Sequence, residues 1–209
     1  ISVLQSQDEL KKIERLKDIS WFLNEELTIR FKFVRDFIIK SDFPDNSIIF
    51  LKTLNSIINS NNLIEMRGRD SLGLYFNVRL SNNNKNLNWV KANKFKKNNF
   101  LKINKKNITF SFILKYFNIY GSLGENASFI LNNLKKNKLF SNFIKIGNFE
   151  NIILIAHTRW ASVGLVNNKN THPLVNIEKV NVSSPTVFAS MNGDIYNYKS
   201  IITYEKKKL

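Results

Sequence analysis

Between Leu72 and Leu80 the chain reads LGLYFNVRL, where apolar residues alternate or run together over the length of a strand. Upstream the period is different. From Asp8 to about Lys40 apolar residues recur at three and four positions (Leu10, Ile13, Leu16, Ile19, Phe22, Leu23, Leu27) among charged neighbours, which predicts a helix. The stretch SDFPDNS then carries a proline and capping residues that stop one helix and start another. The second helix, about Asn46 to Asn59, places Ile48, Ile49, Leu51, Leu54, Ile57 and Ile58 on an apolar face suited to packing on a sheet. No residue of this first third suggests chemistry, so residues 1–62 read as a helical insertion or scaffold.

Downstream of LGLYFNVRL, SNNNKN reads as a polar turn, and Trp89 to Lys106 as a solvated loop rich in Lys and Asn. The interleaved Trp89, Phe95 and Phe100 leave a nucleic-acid patch as an alternative there. Ile108 to Phe117 predicts a strand, and Glu125 to Lys136 a helix after the GSLGEN turn. Glu150 to His157 predicts a buried strand, and Pro185 to Gly193 another that ends at a glycine. Strands interspersed with helices, without regular βαβ alternation, point to an α+β layered domain.

Composition narrows the function classes. A 43% hydrophobic content separates the 209-residue chain from disordered ones and supplies one sizeable core. The formal charge of +16 would suggest an anionic partner. However, Lys outnumbers Arg, and Asn, Ile and Phe are also in excess, the profile of coding sequence rich in A and T, so a nucleic-acid partner is not the first expectation. With no cysteine and only His157 and His172, no disulfide and no metal site is expected. No apolar run of about 18 residues predicts a membrane span. The first residues lack the basic and apolar regions of a signal peptide, and residue 1 is Ile, so the chain is expected to be cut from something longer, or processed. Three N-x-S/T sequons, at Asn107, Asn126 and Asn181, are expected by chance in a chain so rich in Asn.

One stretch stands out from this background. LIAHTRWASVG, Leu154 to Gly164, ends an apolar run with a His, an Arg and a Trp close together. The planar guanidinium of Arg159 suits a carboxylate, Trp160 suits the wall of a pocket, Ser162 offers a hydrogen bond and Gly164 lets the backbone turn. The bland alternative is a structural Arg paired with a local acid and a Trp filling the core.

Three further segments accompany it: MRGRDSLGL (Met66 to Leu74), NTHP (Asn170 to Pro173) and MNGDIYNY (Met191 to Tyr198). Together, and in this order around AHTRWASVG, they resemble the glutaminase domain of class II glutamine amidotransferases. The nearest likeness is to the isomerising glutamine:fructose-6-phosphate aminotransferases, with their RGYDSAG, HTRWATHG, N-x-HP and HNGIIEN strings. Residues 63–209 then match part of such a domain, truncated at both ends.

The resemblance implies an N-terminal-nucleophile hydrolase fold, a four-layer αββα sandwich that is incomplete here. It implies hydrolysis of glutamine to glutamate and ammonia through a thioester on an N-terminal Cys, with ammonia passing to a keto-sugar phosphate in aminosugar biosynthesis. No cofactor is implied. By the same resemblance Asn192 and Gly193 form the oxyanion hole, Arg159 grips the glutamine α-carboxylate, Trp160 closes the site and Ser162 contacts substrate. Arg67, Asp70 and Ser71 match a turn at the base of the site, whose role is either to orient the N-terminal strand or simply to stabilise the fold. His172 matches a structural step.

Two departures stand against these matches. The chain has no Cys and begins at Ile1, and Val163 replaces the usual His. The expectation is therefore an internal piece of a cytoplasmic enzyme, inactive by itself. Its partners would be glutamine and, through a missing downstream domain, a sugar phosphate; a homodimer is compatible with the full-length protein. An inactive glutaminase-like binding or scaffold domain, and a basic nucleic-acid-binding module, stay open as alternatives.

Overall fold

The computed structural model describes residues 2–28, 31–39, 42–93, 99–118, 121–162, 164–175 and 187–208. Its centre is the stretch quoted first: β1, Ser71–Ser81, is paired on both sides. It runs antiparallel to β3 (Asn107–Phe117) and to β4 (Phe149–Arg159), and β2 (Asn99–Ile103) pairs with β3, so the four-stranded sheet has the order β2-β3-β1-β4.

The period of two assigns the two faces of this sheet. Leu72, Leu74, Phe76, Val78 and Leu80 share one face with Ile108, Phe110, Phe112, Leu114, Ile152, Leu154 and Ala156, and all of them belong to one hydrophobic core. Helices close that face. These are α2 (Lys32–Ile38), α3 (Asp45–Leu63), α4 (Asn84–Ala92), α5 (Glu125–Lys136) and α6 (Lys138–Ile144). Of the apolar face expected on α3, Leu51, Leu54 and Ile58 are fully out of solvent, joined by Phe50, which that reading left out, while Ile49 is 57% exposed. Phe50 meets Phe76 at 5.4 Å and Phe143 at 6.0 Å edge to face, the geometry that ring quadrupoles favour. The chain is thus mixed α+β, with seven α-helices among the described residues once α1 (Ser2–Trp21) and α7 (Tyr198–Lys208) are added.

The opposite face of β1 is covered differently. Leu174–Val175 (β5) and Phe188–Ala189 (β6) form a short antiparallel ladder, and the ring of Phe188 stacks on Tyr75 with centroids 3.6 Å apart. Gly73 makes this approach possible, because a Cβ there would run into the carbonyl oxygen of His172. No helix among the described residues is long and apolar enough to cross a membrane.

Several expectations are corrected. The single helix from Asp8 to Lys40 is instead α1, a π-helical turn over Phe22–Leu27 and α2; Lys40 lies outside the described residues. Leu10, Ile13, Leu16 and Ile19 of α1 are about half exposed, so their stripe is uncovered by the described residues. The SNNNKN turn stops at Asn83, whose side chain accepts from the N–H of Asn86 and caps α4. Trp89 is not in a solvated loop. It sits on α4, 8% exposed, against Phe110 and Phe143, which removes it from any base-stacking surface. Phe95 and the side chain of Phe100 lie outside the described residues. The strand that ends in the His-Thr-Arg-Trp stretch is an edge strand with Ile153 51% exposed; β1 is the strand buried on both faces. The strand expected from Pro185 is the two residues of β6, and Pro185 itself lies outside the described residues.

Gly73→Ala is expected to destabilise the fold by about 1–3 kcal/mol, the usual effect of forcing a methyl into a filled space. Urea denaturation checks this, and an unchanged midpoint would mean that the His172 backbone does not depend on resting against β1.

Candidate functional site

The β1–β4 pairing brings two of the sequence motifs side by side. Ser71 lies opposite Arg159, Leu72 opposite Thr158 and Gly73 opposite His157. Just before β1, a 3-10 helix (Glu65–Arg67) ends at Gly68, which packs so closely on Thr158 that a Cβ would meet its Oγ1 at 2.9 Å. Asp70 ties the two segments. Its N–H donates to the Arg159 carbonyl at 3.2 Å, and its Oδ2 accepts from the N–H of Ala161 at 2.8 Å. Its own carbonyl accepts from the Asn118 N–H at 3.1 Å.

Behind this turn, the carboxylate of Glu65 is 1% exposed and accepts from the Gly124 N–H and, at 2.5 Å, from the Asn126 amide. The Asn126 amide also donates to the Arg69 carbonyl at 2.7 Å. Here a buried carboxylate sits at the N-terminus of α5, where the helix dipole favours it, and fixes the backbone one residue before Asp70. Among the named turn residues, Asp70 therefore organises the turn, Ser71 is buried in β1 and Arg67 is exposed at the end of the 3-10 helix.

Arg159 is the last residue of β4 rather than part of the following loop. Its Nη1 donates to the Asn170 carbonyl at 3.3 Å, which connects the third motif to the second. Trp160 does not fill the core. It is 70% exposed and, with Met66, Arg69, Asp70 and Leu123, lines a cavity of about 410 Å³. Ser162 is exposed, with its N–H on the Trp160 carbonyl at 3.2 Å. Gly164 has φ 85°, a left-handed turn of the kind glycine adopts without strain. Val163 lies outside the described residues.

The fourth motif joins through a histidine. His172, which precedes the cis bond to Pro173, accepts the Met191 N–H on Nδ1 at 3.2 Å, so Asn192 and Gly193 follow directly from an anchored residue. Both are exposed, and Gly193 has φ 145° with open space where a Cβ would be. The ring of His172 lies 4.7 Å from that of His157. Desolvation lowers the pKa of both histidines, and the Arg159 charge adds to it in each. Lys115, the other cross-strand neighbour of Gly73, is pushed down to about 8 by burial.

All four segments therefore meet at one end of one sheet. Glu65, Gly73, Lys115, Asn126 and Asn170 were given no site role by sequence reasoning, although Gly73 and Asn170 lie in the quoted strings and Asn126 in a sequon. A glycine within a strand was the available signal for Gly73; the others depend on register and on contacts between distant segments. Among the described residues no group of three or more His, Asp and Glu side chains is placed to hold a metal ion. The chain matches no family model, no curated protein and no solved structure.

Asp70→Ala removes the acceptor of the Ala161 N–H and is expected to cost about 1–3 kcal/mol. Asp70→Asn, which keeps a carbonyl oxygen, should cost less. Hydrogen exchange reads the difference directly, as faster exchange of the Ala161 amide in the alanine variant.

The histidines give a pH dependence. Their folded pKa values lie below the ordinary 6.5, so the unfolded chain takes up protons first. Their contribution to stability is intact above 6.5 and is lost as pH falls from there through the folded values. A proton NMR titration of the two histidines should give both midpoints below 6.5, with the Met191 amide signal following His172.

Proposed function

We propose that this chain is part of the glutaminase domain of a glutamine-dependent sugar-phosphate aminotransferase. The observation that carries the reading is the convergence just described: four segments separated by up to a hundred or more residues, which resemble one family's site strings, are joined by specific hydrogen bonds and strand pairing. The N-terminal-nucleophile sandwich belongs to the same proposal. Helices on one face of an antiparallel sheet, with a two-residue strand ladder against the other, support that part of the reading.

In this reading Arg159 holds the α-carboxylate of glutamine and Trp160 shields the site. A Cys thiolate outside these residues attacks the side-chain amide carbon, and the tetrahedral oxyanion is stabilised by the Asn192 amide and the Gly193 N–H. The open φ of Gly193 and the absence of a Cβ leave room for that approach. Collapse of the intermediate expels ammonia once its nitrogen is protonated, and water then releases glutamate from the thioester. The ammonia would go to a keto-sugar phosphate bound by a further domain, in a cytoplasmic enzyme that needs no cofactor.

A second reading, a glutaminase-like domain that binds glutamine or scaffolds without catalysis, is favoured by one observation: the 209 residues hold no Cys. The two are separated by treating the native gene product with a glutamine-mimicking diazoketone and measuring its intact mass. One adduct on an N-terminal Cys, with ammonia released from glutamine, supports the enzyme. Asn192→Ala should then lower kcat by about a hundred- to a thousandfold, as loss of one oxyanion donor does. No adduct and no ammonia would leave the binding reading.

A further inference from the structure

The face of the sheet away from the helices carries an unbalanced charge. Lys115 on β3 and His157 on β4 both pair with Gly73, one on each side, so their side chains rise from the same face with a residue lacking a side chain between them. The backbone of His172 lies against Gly73, and its ring is 4.7 Å from His157. Lys115, His157 and His172 are each half-buried.

Their present partners are few. Lys115 Nζ donates to the Asn168 carbonyl at 3.2 Å, and His172 uses Nδ1 to accept from Met191. That places the proton of neutral His172 on Nε2, as a donor directed away from Met191. His157 Nδ1 is buried without a hydrogen-bond partner among them. Arg159, two positions after His157, adds a positive charge on this face, Arg79 on β1 and Lys102 on β2 lie farther along it, and Tyr75 on β1 turns its phenol to Ser111 and Asn77. Among the described residues, no carboxylate acts on Lys115, His157 or His172; the charges felt by the two rings are all positive.

Basic groups held together out of water give up their protons more readily, as burial does to Lys115 and both histidines here, and an anion placed among them favours the charged forms again. We propose that Lys115, His157 and His172 form a binding site for a small oxyanion, a carboxylate or phosphate group, on this face of the sheet. The ammonium of Lys115 supplies charge and the donors not given to the Asn168 carbonyl, and the two imidazoles supply directed N–H groups beside the His172 backbone, which itself fills the space over Gly73. This site does not depend on the glutaminase reading. The burial, with positive charge beside it, that pushes protons off the histidines makes them reporters, since a bound anion favours their charged forms and moves both titration midpoints up.

The chain's two histidines make the test direct. Their ring proton signals are followed near neutral pH, at constant ionic strength, while inorganic phosphate, acetate or L-glutamate is added. Saturable shifts of both rings are expected with at least one of the three, and the order of affinities separates a phosphate from a carboxylate source. Lys115→Met should weaken that binding about tenfold, the loss of one charge-assisted contact, while Lys115→Arg keeps it. No saturable shift with any anion overturns the site, as does equal binding by the wild type and the folded Lys115→Met variant. The wild-type titration stands even if that variant does not fold. A phosphate or acetate response with no glutamine chemistry in the native gene product would remove the glutaminase reading and leave this one.

Discussion

The two-sided pairing of β1 is the constraint from which the rest follows. A strand bonded on both edges has its register fixed by two neighbours, and a slip of one residue would exchange its faces. In β1 that exchange would turn Leu72, Leu74, Phe76, Val78 and Leu80 away from the helices and bring Tyr75 and Asn77 into the core. The apolar core and the polar site are therefore held by the same register. Asp70 sits at the point where β1 begins, and its bonds to Arg159 and Ala161 extend the ladder past its last strand pair.

The composition that makes the chain look uninformative also supplies its structural parts. Phenylalanine builds the centre, with Phe50, Phe76, Phe110, Phe112, Phe140 and Phe143 all fully buried. Asparagine, which reads as loop filler, does local work because its short amide can accept from a nearby backbone N–H. Asn83 and Asn137 cap α4 and α6, and Asn126 bridges the Glu65 carboxylate to the Arg69 carbonyl. Asn126 is 3% exposed, so its sequon is not a surface acceptor in the folded chain.

Legibility in the sequence followed how local each signal was. The helix over Glu125–Lys136 and the strand over Asn107–Phe117 were plain because each completes a period within its own length. Helix α4 was missed because nine residues with Asn86 and Trp89 as the buried positions show no repeating stripe. The strand ending at Arg159 reads as buried because Ile152 to Ala156 is continuously apolar, yet only its alternate residues face the core; pairing order, not composition, decides which strand is the edge. Of the site, the residues in motif strings could be named from sequence. The contacts that join them, such as His172 to Met191 or Arg159 to Asn170, cross loops whose path no local pattern encodes.

The two faces of the sheet also differ in what stabilises them. On the helix side, burial of aromatic and aliphatic surface is favourable by itself and needs no partner beyond close packing. On the other side the residues opposite Gly73 are a lysine and a histidine, and covering them with Asn168 and His172 withdraws water from groups that prefer it. The depressed values of Lys115 and both histidines are the visible sign of that withdrawal. A fold selected only for stability would place apolar residues there, since replacing buried charges with packed side chains is commonly neutral or stabilising. Three basic groups beside a glycine, near the end of β4 where all four motif segments meet, carry a desolvation cost that the proposed anion would offset.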